Sequence, residues 1–262
     1  MVRKSSALWA LALLITLASA VYQRMTGPSY PARGKTTFAG SQVNYRLPRT
    51  HGDGDAEVRV PAPTSATAGT IAWKRNNTRD AWTYLPMTRD GQDLVAHLPH
   101  QPPAGKLAYR VILQEGAERV TLHGAPVVIR FKGEVPIPVL VVHIFCMFTG
   151  MLLSTRAGLE YFKANPDYSK LILWTIALLT VGGMILGPVV QKYAFGAFWT
   201  GWPFGADLTD NKTAVAWLAW IAAGLKLRRN PGAGAWALAA AVLTLVVFAI
   251  PHSVLGSELK YE

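Results

Sequence analysis

Two histidines sit in or at the end of long apolar runs, His143 and His252, and ionisable side chains placed there are costly and are functional candidates by default. His143 lies about seven residues into Pro136–Ser154, roughly 10 Å from the start of that run at helical rise. His252 follows Pro251 at the end of Gly234–Pro251. With alternating chain direction both imidazoles fall in the same half of a bilayer. A neutral imidazole is a good ligand for iron, copper or zinc, and two from separate helices can grip one centre. On the same side runs a loop rich in aromatics, with Phe195, Phe198, Trp199 and Trp202 followed by Asp207, Asp210 and Lys212. Such a loop is either an anchoring belt at the membrane interface or a flat platform for a macrocycle, the acids and Lys192 or Lys212 addressing polar substituents. Copper is a second possibility: His143, Met147 and Met151 share a helical face beside Cys146, and soft ligands suit Cu(I). A third is that the histidines and methionines only pack helices, as Gly150 and Ser154 on that side suggest.

The elements that must hold these residues are five nearly charge-free segments: Ala7–Tyr22, Pro136–Ser154, Leu171–Val190, Thr213–Leu227 and Gly234–Pro251. About 20 helical residues cross a bilayer core. The second, third and fifth are long enough, and the fourth reaches that length if the stretch before it joins the helix. Ala7–Tyr22, with Arg3 and Lys4 before it and Ala18-Ser19-Ala20 near its end, reads as a retained signal anchor or as a cleavable signal peptide. The third segment contains Gly182-Gly183 and Gly187-Pro188, which allow close helix contact or a kink.

Charge placement orients the chain. The formal charge is +11, while hydrophobic residues are 51% and charged residues only 16%, well below the roughly 25% of a soluble domain. The composition therefore points to a membrane protein. With a cytoplasmic N-terminus, the inner segments hold Arg3, Lys4, Arg156, Lys163, Lys170, Lys226, Arg228 and Arg229 against Glu160 and Asp167. The outer edges hold Lys192, Lys212 and Lys260 against Glu134, Asp207, Asp210, Glu258 and Glu262. This is the positive-inside pattern. It places the polar region 23–134 and the C-terminus on the outer, periplasmic side of an inner membrane. Cys146 is the single cysteine, so no intramolecular disulfide and no cysteine-based zinc or iron–sulfur centre can form.

Residues Gln23–Pro63 read as a stalk followed by first strands. Beyond Thr70 the pattern turns to period two, with Leu107, Tyr109, Val111 and Leu113 on one face, Val127, Ile129 and Phe131 on another strand, and Val58 and Val60 earlier. Half-buried strands need this alternation. Arg89-Asp90-Gly91-Gln92 and Gln114-Glu115-Gly116-Ala117 read as hairpin turns. Short strands at this spacing predict an immunoglobulin-like β-sandwich. His97 and His100 form an H-x-x-H pair, but strand geometry sends them to opposite faces with no third ligand nearby. Trp73, Trp82 and Tyr84 serve either as packing aromatics or as a ligand platform. Basic residues in this region are interleaved with acids and turns, which argues against nucleic acid.

The membrane half resembles the haem-handling membrane proteins of cytochrome c maturation, whose tryptophan-rich outer loop, the WWD motif, is flanked by two histidines from membrane helices. Phe195-Gly196-Ala197-Phe198-Trp199-Thr200-Gly201-Trp202 is similar to that motif. Asp207 or Asp210 with Lys212-Thr213 corresponds to the family's aspartate and to the basic residue and threonine that lead into its next helix. His143 and His252 match the flanking histidines in order and side. The sequence departs from the family in having Phe195 for the first tryptophan, an extra residue before Trp202, a displaced aspartate, fewer helices and a preceding β domain. The resemblance implies haem contact through Phe195, Trp199, Trp202, Asp207 and Lys212.

The glycine loop of P-loop enzymes, the dinucleotide-binding fingerprint, the G-x-S-x-G elbow and H-E-x-x-H are all absent, as are paired carboxylates within the helices, which disfavours catalysis by this chain alone and proton-driven transport. The expected architecture is an α+β membrane protein: a signal anchor or peptide at 1–22, an exported β-sandwich at 23–134, and a four-helix transmembrane bundle at 135–262. Two functions fit. One is b-type haem binding near the outer face, for electron transfer within a membrane complex or haem delivery to it. The other is a non-catalytic scaffold or assembly subunit of a respiratory or photosynthetic membrane complex. The partners expected are the lipid bilayer, other membrane proteins and an exported protein docking on the β domain.

Overall fold

The computed structural model describes residues 2–205, 208–251, 258–259 and 261. The chain is mixed α+β and divides into two compact units: a helical one formed by 1–28, 135–193 and 197–257, and a β one formed by 29–134 with 194–196 and 258–262.

Period-two alternation builds the β unit. Its strands are β1 (Ala32–Phe38), β2 (Ser41–Leu47), β3 (Thr50–His51), β4 (Ala56–Pro61), β5 (Ala68–Arg75), β6 (Thr83–Pro86), β7 (Thr88–Asp90), β8 (Asp93–Leu98), β9 (Lys106–Glu115) and β10 (Glu118–Phe131). They form a β1-β2 hairpin, a five-stranded sheet in the order β3-β10-β9-β5-β6 and a three-stranded sheet in the order β4-β8-β7. All three contribute to one core, to which β1 and β2 give Phe38 and Leu47, β4 gives Val58 and Val60, and β8 gives Leu98. Leu107, Tyr109, Val111 and Leu113 are fully buried from β9, and each such side chain contributes about 1.5–3 kcal/mol on leaving water. The Tyr109 hydroxyl donates to the Pro48 carbonyl at 2.8 Å, so its polar atom stays satisfied in the core, while burial pushes its pKa up.

Both expected hairpins form. Gly91 and Gly116 hold positive φ of 59° and 55° in the turns β7–β8 and β9–β10, a region open to glycine without strain. No stalk precedes the strands, because the first helix runs to Thr26 and β1 begins at Ala32. His97 lies opposite Glu57 in the β4–β8 ladder. The His100 ring instead lies with Nδ1 3.1 Å from the Gly54 carbonyl and packs edge-on against Phe131.

The described C-terminal residues belong to the β unit. Leu259 N–H donates to the Ala104 carbonyl at 3.2 Å, and the Arg75 guanidinium lies 4.9 Å from the Tyr261 ring centre. The Glu258 carboxylate accepts from Asn76 at 2.8 Å and pairs with Lys106 at 3.1 Å. Partial burial pushes the Glu258 carboxyl up, but the hydrogen bonds from Asn76 and Lys106 outweigh it and hold the group below the ordinary glutamate value. A depressed carboxylate contributes stability that is present above the unfolded pKa and lost as pH falls through the folded one. Hydrogen-exchange protection of the Leu259 amide, corrected for intrinsic rate, is therefore expected to stay level from pH 7 to 5 and to fall only below the ordinary glutamate range. A decline already between pH 7 and 5 would contradict this assignment.

The helical unit holds α1 (Val2–Thr26), α2 (Ile137–Leu159), α3 (Ser169–Leu178), α4 (Gly187–Phe195), α5 (Leu208–Arg229) and α6 (Ala235–Ala249). A 3₁₀ turn at Glu160–Phe162 ends α2, and a π-helical segment, Leu179–Leu186, joins α3 to α4. Among the described residues three helices are long and apolar enough to cross a membrane: Ser5–Thr26, Ile137–Phe162 and Ser169–Phe195. The chain is thus a membrane protein by length and composition. The fourth and fifth expected spans are helical, as α5 and α6, and are not among these three. Helix α5 carries Asp210, Lys212, Lys226, Arg228 and Arg229 near its ends. Helix α6 has 15 residues, about 22 Å of rise against about 30 Å of hydrocarbon.

Gly150, Ser154 and Gly158 recur every four residues along α2 and allow close approach of its neighbours. A Cβ at Gly158 would collide with the Ala241 side chain, and one at Gly150 would touch Leu178 and Leu179 at 3.5 Å. The fully buried Trp220 of α5 donates its indole N–H to Thr244 Oγ1 at 2.9 Å and to Ser154 Oγ at 3.2 Å, tying α2, α5 and α6 together. Helix α1 packs on α2 and α6: Ala12 is fully buried, and the Gln23 side-chain amide donates to the Phe248 carbonyl at 2.9 Å.

Candidate functional site

His143 is positioned by the π-helical segment. Its Nδ1 lies 2.9 Å from the carbonyl oxygen of Gly182, which belongs to that π-helical segment. A carbonyl only accepts, so Nδ1 carries the proton and donates it, and in the neutral ring Nε2 keeps its lone pair. Nε2 has no hydrogen-bond partner among the described residues. A ligating histidine is commonly oriented by donating its other ring N–H to a backbone carbonyl.

Gly182 and Gly183 allow this approach. A Cβ at Gly182 would crowd the Cys146 Cβ and would lie 3.2 Å from Met147 Sδ, and one at Gly183 would come to 2.7 Å of Thr213 Cγ2. The paired glycines therefore serve close contact, within a π-helical stretch. The same contact uses Cys146 and Met147 as packing atoms, both buried, and Met151 is buried in the helical core. These three side chains are engaged with neighbouring helices, which weighs against the copper arrangement. Among the described residues no group of three or more His, Cys, Asp and Glu could hold a metal ion.

The aromatic loop is held by the start of α5. Asp210, 6% exposed, accepts at Oδ2 from the amides of Thr200 at 2.7 Å and Gly201 at 3.0 Å and from the Gln191 side chain at 3.1 Å. Gln191 also donates to Thr200 Oγ1 at 2.6 Å. Asn211 Oδ1 accepts from the Trp202 amide at 2.8 Å, and the Trp199 indole N–H donates to the Trp202 carbonyl at 3.2 Å. The backbone of the loop is pinned while its rings point outward, with Phe198, Trp202 and Phe204 at 57%, 77% and 82% exposure. Lys192 lies 5.6 Å from the Phe198 ring centre. Lys212 is buried and donates from Nζ to the Ile250 carbonyl at 2.5 Å, two residues ahead of His252 in the chain.

The expected site residues fall in separate places. Trp199 and Trp202 lie in the loop held by the start of α5, the helix that also carries Lys212. His143 lies on α2 against the π-helical segment, whose Gly183 neighbours Thr213. Phe195 belongs to the β unit, with the Arg130 guanidinium 5.1 Å from its ring centre. His252 and Asp207 lie outside the described residues. Of the two aspartates that the motif allowed, Asp210 is the one seen to organise the loop. Sequence reasoning passed over Gln191 and the Gly182 carbonyl. The first is a polar residue in an apolar helix, a signal available in principle; the second is backbone and carries none.

Asp210→Ala takes from the Thr200 and Gly201 amides the carboxylate they donate to, while Gln191 keeps Thr200 Oγ1 as an acceptor. Unpaired buried donors cost about 1–3 kcal/mol each, discounted for partial resolvation, so a net loss of about 3 kcal/mol is expected, with faster hydrogen exchange at Thr200 and Gly201. Asp210→Asn keeps one acceptor oxygen and loses less. Unchanged exchange at both amides in the alanine variant would show that this carboxylate does not hold the loop.

No family model, curated protein or solved structure matches this chain.

Proposed function

We propose that the protein binds a b-type haem in the inner membrane, near its outer face, where His143 and His252 would hold the iron, and that it transfers electrons within a membrane complex or delivers haem to one. The observation that carries this reading is the Nδ1–H of His143 donated to the Gly182 carbonyl at 2.9 Å, which presents Nε2 as a ligand atom. Lys212, anchored on the Ile250 carbonyl, steadies the chain entering His252. The loop bearing Trp199 and Trp202 supplies pinned aromatic surface for a macrocycle edge. Bound haem would supply one-electron chemistry at iron; the chain's own part is to orient imidazole and shield the ring from water. The positive-inside charges orient the β unit, as an immunoglobulin-like sandwich, and the C-terminus to the periplasmic side, with α1 as a signal anchor beside a four-helix transmembrane bundle.

The exposed Phe198, Trp202 and Phe204 favour a second reading, in which the loop anchors a non-catalytic scaffold subunit at the membrane interface or against a partner. The visible spectrum of protein purified from a haem-replete host separates the two. A Soret band at one haem per chain is expected, whereas its absence alongside co-purification of a membrane complex rejects haem in favour of the scaffold.

A further inference from the structure

We propose that the cleft between α3 and α5 is a binding site for one anionic phospholipid, its acyl chain lying along the helices and its phosphate held by Arg228 and Ser169. The cleft measures about 550 Å³, within the usual range of about 300–1,000 Å³ for ligand sites. Ile172, Ile176, Ile221 and Leu225 line its length, and Ser169 and Arg228 line one end. Gly224 opens it, since a Cβ there would come to 3.2 Å of Ile172 Cγ2. Helix α3 begins a segment of spanning length, Ser169–Phe195, and the neighbouring Leu173 and Trp174 are 64% and 58% exposed, so the apolar groove opens on a surface suited to lipid.

The polar end decides the occupant. Arg228 is exposed and makes no ion pair among the described residues. Lys226 and Arg229 share its helical turn and Lys170 follows Ser169, so the end is cationic. Asp167 is the one acid lining the cleft, and its Oδ1 is taken by the Ser169 amide at 3.2 Å. Basic clusters at the ends of membrane helices recognise anionic headgroups. A neutral quinone headgroup has no use for them. The cleft lies apart from His143, and the proposal stands independently of haem.

The test is native mass spectrometry of the full chain in mild detergent, titrated with dioleoylphosphatidylglycerol or with the matching phosphatidylcholine. One retained phosphatidylglycerol per chain is expected, weakened about fivefold by Arg228→Gln, as for loss of one basic contact, and weakened also by Ser169→Ala. Arg229→Gln, beside the cleft but not lining it, should leave retention unchanged. Both arginine sites are exposed, so these variants keep the fold. Equal retention of the two lipids, equal losses in both arginine variants, or displacement of the lipid by an equimolar short-chain quinone would each overturn the proposal.

Discussion

His143→Ala is expected to abolish the Soret band of the purified protein while leaving its helical content intact. The substitution removes one hydrogen bond, to the Gly182 carbonyl, worth about 1 kcal/mol net, which is too little to unfold the helical unit. It also removes the only candidate ligand atom on α2 that is not committed to packing, since Met147 and Cys146 are pressed against Gly182. His143→Gln separates the two roles. Its side-chain amide can still donate to the Gly182 carbonyl, so a packing role would survive the change, but it offers no imidazole Nε2. The band is expected to be lost from the glutamine variant too, and exogenous imidazole should restore a band to His143→Ala, where the ring has left space. A glutamine variant that retained a wild-type band would show that His143 packs helices and that iron, if held, is held elsewhere.

Glu160→Gln is expected to be the most destabilising substitution at the other end of α2. Glu160 and Arg156 are 2% and 3% exposed at the side chain and pair at 2.5 Å, and Lys163 reaches the second carboxylate oxygen at 2.9 Å. The Asp167 amide donates to the same oxygen at 3.1 Å. Arg156 also lies 5.3 Å from the Trp9 ring centre and 3.4 Å from Ser5 Oγ, so the cluster fastens α1 to α2. Nε and Nη1 of Arg156 have no hydrogen-bond partner among the described residues, and Glu160 is the carboxylate that compensates its charge. Removing one partner of a buried pair costs about 3–5 kcal/mol, about 10 °C in Tm for a chain of this size. Removing both charges strands neither, so Arg156→Met with Glu160→Gln should recover most of the loss. Thermal unfolding in one detergent checks this; a double variant as unstable as the sum of the two singles would mean that the pair is not a unit.

The elements whose signal is local were legible in the residues. Leu107, Tyr109, Val111 and Leu113 alternate because a strand sends successive side chains to opposite faces, and all four are fully buried. Gly91 and Gly116 marked their turns because positive φ excludes most other residues. Pro136–Ser154 and Leu171–Val190 announced spanning helices by composition alone, whereas Ala7–Tyr22, short by itself, belongs to a longer apolar helix, Ser5–Thr26. The fourth and fifth expected segments form helices α5, with charges near both ends, and α6, of 15 residues. The resemblance to the haem-handling family grouped Phe195 with Trp199 and Trp202 by proximity in sequence, whereas the chain turns at Gly196, with φ 87°, and Phe195 falls in a different unit.

The sequence by itself determined that this chain is a membrane protein with a separate β-rich region, and it singled out His143 and the aromatic loop, because hydropathy, period and residue type are properties of short windows. Only the tertiary structure decided which nitrogen of His143 is free, that Asp210 pins the loop, and that Met147 and Met151 are core. Each of these depends on a backbone carbonyl, a backbone amide or an interhelical contact, and such groups are identical in every residue until folding brings particular ones together.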